Sequence, residues 1–118
     1  MDNELKKQQA ITRTKRPYDI DYFINKFTAI PDDKWTTRRY ETINDKCCAL
    51  GHCGERTTKH TIEATTLNDI IANSHIIPPQ SKSTTIVYIN DGDHNDYKQD
   101  TPKARILAAL NDIKNNQN

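Results

Sequence analysis

Residues 84–90, TTIVYIN, are the stretch on which a prediction of the fold depends. The segment is rich in β-branched residues and is bounded by turn chemistry, with Pro78 and Pro79 before it and the polar loop 91–100 after it. β-Branched side chains favour extended backbone, because a helix restricts their χ1 angle. The segment therefore predicts a β-strand, and with it a fold that contains a sheet.

Several other segments predict the elements around that strand. Residues 101–114, TPKARILAALNDIK, begin with a threonine N-cap and a proline at the first helical position, and their apolar residues share one face. Helical spacing also recurs after Asp19 and within residues 61–72. Residues 47–52 predict one or two helical turns, and residues 39–43 a short strand. The sequence thus predicts a small α+β domain, with about three helices and a short helical turn around a minimal two- to three-stranded sheet.

The composition is that of one small domain with polar ends. The chain has 118 residues, of which 34% are hydrophobic, and its net charge is +1. A chain of this length can bury a core, and a nearly neutral charge excludes a global attraction to nucleic acid or membranes. Residues 18–114 carry the periodic segments of a single domain, whereas residues 1–17 predict a flexible basic arm and residues 115–118 a frayed tail.

No segment of the sequence predicts a membrane span or a secretory signal. A span needs roughly 20 consecutive apolar residues, and the N-terminal segment lacks the apolar stretch of a signal. The three cysteines are an odd number, whereas a secreted domain of this size usually pairs its cysteines. We therefore expect a cytoplasmic protein with reduced thiols and no membrane partner.

The cysteines cluster in residues 47–56, CCALGHCGER, which raises the question of a metal site. The candidate ligands are Cys48, Cys53, His60 and His75. Their spacing is C-x4-C-x6-H-x14-H, whereas structural zinc sites usually bring their ligands in as tight pairs. The pattern favours cysteines that pack as small hydrophobic residues, without a metal or another cofactor.

The loop 91–96 places acidic residues at alternate positions, as an EF-hand does. Asp96 stands where the invariant glycine of that motif belongs, and Pro102 stands where the bidentate glutamate belongs. We therefore interpret the loop as a solvated turn, in which Asp and Asn side chains bind their own backbone.

A cysteine nucleophile is the enzymatic alternative. Cys48 lies at the start of a predicted helical turn, whose dipole would favour the thiolate. His75 or His94 would be the base, and Asp91 would orient it. This combination predicts a cysteine-dependent hydrolase or transferase, although the same three residue types occur in this order by chance in many chains.

Cations interleaved with aromatic residues indicate binding of an anion. Arg38 and Arg39 lie between Trp35 and Tyr40, and Lys34 precedes them. Aromatic rings can stack on bases while the cations neutralise phosphates. With the basic arm, this pattern makes nucleic-acid binding one alternative, and a nucleotide-sized anionic ligand is a related one. The same residues equally describe an ordinary solvated surface with one anchoring tryptophan.

Short motifs resemble a group of small bacterial and phage domains of unknown function. The motifs are Cys48-Ala49-Leu50-Gly51, a predicted strand ending in Ile89-Asn90-Asp91-Gly92, a helix beginning at Thr101-Pro102, and an upstream tryptophan that Trp35 matches. The resemblance spans about residues 20–114. It implies a compact accessory domain, is consistent with a phage or mobile element as its origin, and implies no activity.

These observations favour a small non-enzymatic binding or accessory protein over an enzyme. Its partner would be a host protein or a nucleotide-like anionic ligand. We expect the site where the Cys48 segment meets the end of the predicted strand, with aromatic side chains as neighbouring walls. The predicted ligand-binding residues are Trp35, Arg38, Arg39, Tyr40, Cys48, Asn90 and Asp91.

Overall fold

The computed structural model describes residues 18–79 and 84–116, which fold into helices around one core. The helices are α1 (Ile20–Ala29), α2 (Ala49–His52), α3 (Ile62–Ala72), α4 (Thr85–Asp91) and α5 (Pro102–Asn115), and a 3₁₀ turn spans Asp32–Lys34. The predicted arm, residues 1–17, lies outside the described residues, as do the last two residues of the predicted tail.

The predicted sheet is wrong. Within residues 18–79 and 84–116, β-pairing is limited to isolated bridges: Trp35 with Cys47, Glu41 with Cys47, and Arg56 with Lys59. The predicted strand at 39–43 is a series of bends and turns that contains one bridge residue. The α+β class is therefore corrected to a helical one.

Helix α4 occupies the stretch that the sequence predicts as a strand. Its buried residues are Ile86, Ile89 and Asn90, which have the spacing of one helix face. In a strand, Ile86 and Ile89 would point to opposite faces. The helix propensity of an ordinary residue is at most about 0.7 kcal/mol below that of alanine. Full burial of an isoleucine contributes about 1.5–3 kcal/mol, so burial outweighs propensity here.

The three longer predicted helices are present, and each begins at a side-chain cap. The capping residues are Asp19 for α1, Thr61 for α3 and Thr101 for α5. Each side-chain oxygen accepts the backbone N–H of the residue three positions later, at distances of 2.8, 3.1 and 3.1 Å. Such caps satisfy N–H groups that have no partner within the helix, and each typically contributes about 1 kcal/mol.

Helix α5 lies at the centre of the core. It packs against α1 on one side and against α4 on another. Its fully buried residues include Ile106, Ala109 and Leu110, and α1 contributes Phe23 and Phe27, which are also fully buried. No helix in the described part of the chain is long and apolar enough to cross a bilayer. The short helix α2 contacts α4, and this contact positions the candidate site.

A buried arginine closes the C-terminal end of α4. Arg105, in the first turn of α5, donates from Nε to the Ile89 carbonyl at 3.2 Å and from Nη2 to the Asn90 carbonyl at 2.8 Å. It also donates from Nη1 to the Gln99 carbonyl at 2.7 Å. Gly92 follows the helix in the left-handed region, with φ of 84°. A cation at this end of a helix is stabilised by the helix dipole, so α4 ends at a fixed position beside α5.

Candidate functional site

A groove of about 810 Å³ lies where α2 and α4 meet the irregular segments 38–41 and 56–58. The apolar residues that line it are Ala49, Leu50, Ile86 and Val87. Its polar lining comes mainly from Arg38, Arg39, Tyr40, Glu41, Arg56, Thr57, Thr58 and Asp91. The groove thus combines an apolar wall with three guanidinium groups and several hydroxyl groups.

The structure brings six of the seven predicted ligand-binding residues to this groove. They are Arg38, Arg39, Tyr40, Cys48, Asn90 and Asp91. The seventh, Trp35, is only 5% exposed, and its ring centroid lies 5.3 Å from that of Phe27 and 4.7 Å from that of His52. Its Nε1 faces the Ile30 carbonyl at 3.4 Å. Trp35 is therefore a core residue and offers no free face on which a base stacks.

The buried side chain of Asn90 connects the segments that line the groove. Its Oδ1 accepts the backbone N–H of Ala49 at 3.0 Å. Its Nδ2 donates to the Thr36 carbonyl at 3.0 Å and to Asp91 Oδ1 at 3.1 Å. Asn90 is 1% exposed, so these hydrogen bonds satisfy an amide that would otherwise be costly to bury.

Arg38 adopts a backbone conformation that is unusual for a residue other than glycine. Its φ is 67°, in the left-handed region, which costs such a residue on the order of 1–2 kcal/mol. The Arg38 N–H donates to Asp91 Oδ1 at 3.0 Å. The guanidinium group is mostly exposed and lies 3.8 Å from the carboxylate of Asp93. The backbone of Arg38 is thus held from α4, while its side chain stays near solvent.

The other two arginines of the groove differ in their partners. Arg56 Nε lies 3.2 Å from Glu41 Oε1, and Arg56 Nη1 donates to the carbonyls of Gly51 at 3.0 Å and Glu55 at 2.6 Å. Arg39 is exposed, and it makes no ion pair and no side-chain hydrogen bond with any residue in 18–79 or 84–116. Arg39 therefore has the guanidinium group most available to an incoming anion.

A close approach at Gly51 brings the Tyr40 segment onto α2. A Cβ atom at Gly51 would lie 1.9 Å from the Tyr40 carbonyl oxygen and 2.8 Å from the carbonyl carbon. Only glycine leaves room for this contact, because the obstacle is backbone rather than a flexible side chain. Gly51 therefore sets the distance between the segment that carries Arg39 and Tyr40 and the helix that lines the groove.

The Cys48 thiol is enclosed and protonated at neutral pH. Cys48 is 7% exposed, and its Sγ accepts the Gly51 N–H at 3.4 Å. Burial raises the pKa of this thiol, and it also raises the pKa of the thiols of Cys47 and Cys53. The helix that Cys48 caps has only four residues, so its dipole is weak.

The histidines that were candidate bases do not join Cys48 and Asp91. His75 is exposed and lines a separate cavity, together with residues at the ends of α3 and α5. His94 is buried: its Nε2 lies 2.9 Å from the Ile77 carbonyl, and its Nδ1 lies 3.1 Å from the Asp96 N–H. These partners assign the proton to Nε2 and occupy both ring nitrogens. A Cys-His-Asp arrangement is not assembled by these side chains.

The four residues that were weighed as zinc ligands are dispersed. Cys48 and Cys53 flank α2 as its N-cap and C-cap, His60 pairs with the carboxylate of Glu55, and His75 lies in the separate cavity. Within the described ranges, no group of three or more His, Cys, Asp or Glu side chains is placed to hold a metal ion. The cysteine cluster therefore packs as part of the core.

The sequence analysis missed the segment that forms one side of the groove. Arg56, Thr57 and Thr58 line it, and their loop is closed by a bridge between Arg56 and Lys59. The buried carboxylate of Glu55 accepts the Thr61 N–H at 3.1 Å and so anchors the same loop. The available signal was a cation, Arg56, followed by two hydroxyl residues, two positions after Gly54.

Comparison of the chain with known proteins found no match. No protein-family model, no curated protein and no solved structure matches the chain. The resemblance to small bacterial and phage domains therefore stays a prediction, and a function has to be argued from the groove itself.

Proposed function

We propose that this protein is a small binding protein without catalytic activity, and that its groove takes an anionic ligand about the size of a nucleotide. The observation that carries the proposal is Arg39, an exposed guanidinium group that lines the groove and has no partner among the described residues. A protein acting in this way would be an accessory factor that sequesters or senses its ligand.

The charges around the groove support an anion as the ligand. Three arginines and two acidic residues, Glu41 and Asp91, line it, and Asp93, outside the lining, lies 3.8 Å from the Arg38 guanidinium group. Arg56 is paired with Glu41 and Arg38 lies beside Asp93, whereas Arg39 has no ionic partner among residues 18–79 and 84–116. One guanidinium group can bind two oxygens of a phosphate or carboxylate at once. These charge-assisted hydrogen bonds are among the stronger ones in proteins.

The size and the apolar wall support a ligand with a flat or apolar part. Pockets for small molecules are typically about 300–1,000 Å³, and this groove is about 810 Å³. The half-buried Val87 and Tyr40 supply apolar and aromatic surface, over a floor formed by the buried Leu50 and Ile86. Anionic and apolar parts in one molecule of this size are the properties of a nucleotide.

Binding is better supported than catalysis by Cys48. The raised pKa of the thiol leaves little thiolate at neutral pH, and the thiolate is the nucleophilic form. Neither histidine predicted as the base supplies one: His75 lies in another cavity, and both ring nitrogens of His94 are engaged. These two observations weigh against a cysteine-dependent hydrolase or transferase, although Cys48 lines the groove.

Calorimetric titration with AMP, ADP and adenosine tests the proposal. We expect AMP and ADP to bind and adenosine to bind at least about tenfold more weakly, because a charge-assisted hydrogen bond is worth about 1.5–3 kcal/mol. Arg39→Ala should weaken AMP binding by a similar factor. Lys114→Ala is the matched control, since it removes an exposed cation that pairs with Asp21 away from the groove.

Two results would overturn the proposal. One is equal binding of adenosine and AMP, which would mean that the charge of the ligand is not recognised. The other is an Arg39→Ala protein that binds AMP as tightly as the Lys114→Ala protein does. A single-stranded oligonucleotide in the same titration tests the nucleic-acid alternative: if it binds far more tightly than AMP, the ligand is a polymer rather than a nucleotide.

A further inference from the structure

We infer that Asp91 is a positioning residue, which acts on the ligand through the backbone of Arg38 rather than by contact; this inference rests on the proposed anion binding. Asp91 lies at the C-terminal end of α4, and it lines the groove beside Arg38 and Arg39. Its role is to hold the segment that presents those arginines in a conformation that the segment would otherwise leave.

Two hydrogen bonds hold this segment to the end of α4. The Arg38 N–H donates to Asp91 Oδ1, and Asn90 Nδ2 donates to the Thr36 carbonyl. A third hydrogen bond, within α4, runs from Asn90 Nδ2 to the same Asp91 oxygen. Arg38 has φ of 67°, so its backbone is in a conformation that a non-glycine residue rarely adopts. Without the bond to Asp91, the segment returns to commoner conformations, and Arg39 moves with it.

Because Asp91 is negatively charged, two roles for it can be distinguished: direct contact with the anionic ligand, and positioning of the Arg38 backbone. A carboxylate in a groove that takes an anion repels the ligand, so as a contact residue it would oppose binding. As a positioning residue it favours binding, because the ligand is bound only by the fraction of molecules in the competent conformation. The two roles therefore predict opposite effects when the carboxylate is replaced.

Two substitutions separate the charge of Asp91 from its hydrogen bonds. Asp91→Ala removes both, and we expect AMP binding to weaken by about five- to thirtyfold, which is the population change expected when an unfavourable left-handed residue is released. Asp91→Asn keeps an Oδ1 that accepts both N–H groups, while it removes the negative charge. Its affinity for AMP should equal or exceed that of the unsubstituted protein.

Asp93→Ala is the matched control for the loss of a carboxylate. The Asp93 carboxylate lies 3.8 Å from the Arg38 guanidinium group, but it does not bind the Arg38 N–H. Removal of the Asp93 carboxylate leaves the Arg38 N–H bound to Asp91 and leaves the Arg38 guanidinium group without that carboxylate. We therefore expect no loss of AMP affinity in this variant.

Hydrogen exchange at the Arg38 amide provides a second readout that needs no ligand. The amide should be protected in the unsubstituted protein and in Asp91→Asn, and it should exchange at nearly the rate of a free peptide in Asp91→Ala. An unprotected Arg38 amide in the unsubstituted protein overturns the inference, even if Asp91→Ala fails to fold.

The binding data overturn the inference in two further cases. In one, Asp91→Ala binds AMP as tightly as the unsubstituted protein. In the other, Asp91→Asn loses as much affinity as Asp91→Ala, although it keeps an oxygen that accepts the Arg38 N–H. If the unsubstituted protein binds none of the nucleotides, the proposed function fails, whereas the exchange of the Arg38 amide still decides whether Asp91 holds the backbone.

Discussion

Asn90 Oδ1 accepts the backbone N–H of Ala49 at 3.0 Å, which joins the end of α4 to the first residue of α2. The Nδ2 of the same side-chain amide donates to the Thr36 carbonyl. One buried side chain thus connects three segments that are far apart in the sequence. The geometry of the groove depends on this connection, because α2, α4 and the segment after Thr36 all line it.

Replacement of Asn90 by alanine should destabilise the protein. The change leaves the Ala49 N–H and the Thr36 carbonyl without their partner, and each buried group left unsatisfied costs about 1–3 kcal/mol. Urea unfolding measures the loss. Asn111→Ala is the control, since Asn111 is exposed and binds only the Leu107 carbonyl of its own helix; its effect should stay within about 0.5 kcal/mol. An equally small effect for Asn90→Ala would contradict the role assigned to Asn90.

Gly51→Ala should be more destabilising than Gly54→Ala. The new methyl group at position 51 would meet the Tyr40 carbonyl oxygen at 1.9 Å, so backbone must move, at a cost of about 1–3 kcal/mol or more. At position 54 the nearest atom is a Thr61 methyl group at 3.1 Å, and the main cost is the φ of 90°, on the order of 1–2 kcal/mol. Thermal unfolding of both variants shows which one is less stable. A less stable Gly54→Ala protein would show that the Tyr40 segment can move away from position 51 at little cost.

The stability of the protein should fall as the pH falls below about 6.5. Burial lowers the pKa of His52, whose ring packs against Trp35, so the folded protein resists protonation at this site. The unfolded chain takes up the proton at its ordinary pKa, which favours unfolding in acid. His52→Gln should therefore lose less stability between pH 7.5 and pH 5.5 than the unsubstituted protein does. The exposed His75 is the control site, and a His75→Gln protein that matches the slope of His52→Gln would refute this prediction.

Iodoacetamide should modify Cys48 slowly in the folded protein at neutral pH. The thiol is 7% exposed and its pKa is raised by burial, so both access and thiolate content are low. Mass spectrometry of peptides identifies which cysteine is modified, and the same reaction in urea gives the rate of the freely accessible thiol. Rapid, selective modification of Cys48 without denaturant would revive the hypothesis of a cysteine-dependent enzyme.

The helices that the sequence predicts correctly are those with local start signals. Asp19, Thr61 and Thr101 cap their helices through bonds to residues three positions later, and such bonds can be inferred from sequence alone. The conformation of α4 could not be inferred in that way, because burial of Ile86 and Ile89 depends on packing against other helices, α5 above all. Gly92 was the overlooked local signal, since an αL glycine commonly ends a helix.

The candidate site is less accessible to sequence analysis than the helices are. Arg38, Arg39 and Tyr40 reach the same groove because they are consecutive, but the direction of each side chain in an irregular segment depends on packing. Trp35 illustrates the difficulty: it lies only three residues before Arg38, yet its ring packs against Phe27 in the core. The side of the groove formed by residues 56–58 depends on the anchoring of that loop by Glu55, which has no sequence signature.

The buried Arg105 also has a consequence for the order in which the protein is completed during synthesis. The carbonyls of Ile89 and Asn90 at the end of α4 are bound by a guanidinium group that belongs to α5, a later segment of the chain. While the nascent chain leaves the ribosome, α4 emerges before the segment that carries Arg105. The end of α4 that lines the groove is therefore completed only after α5 has emerged and docked.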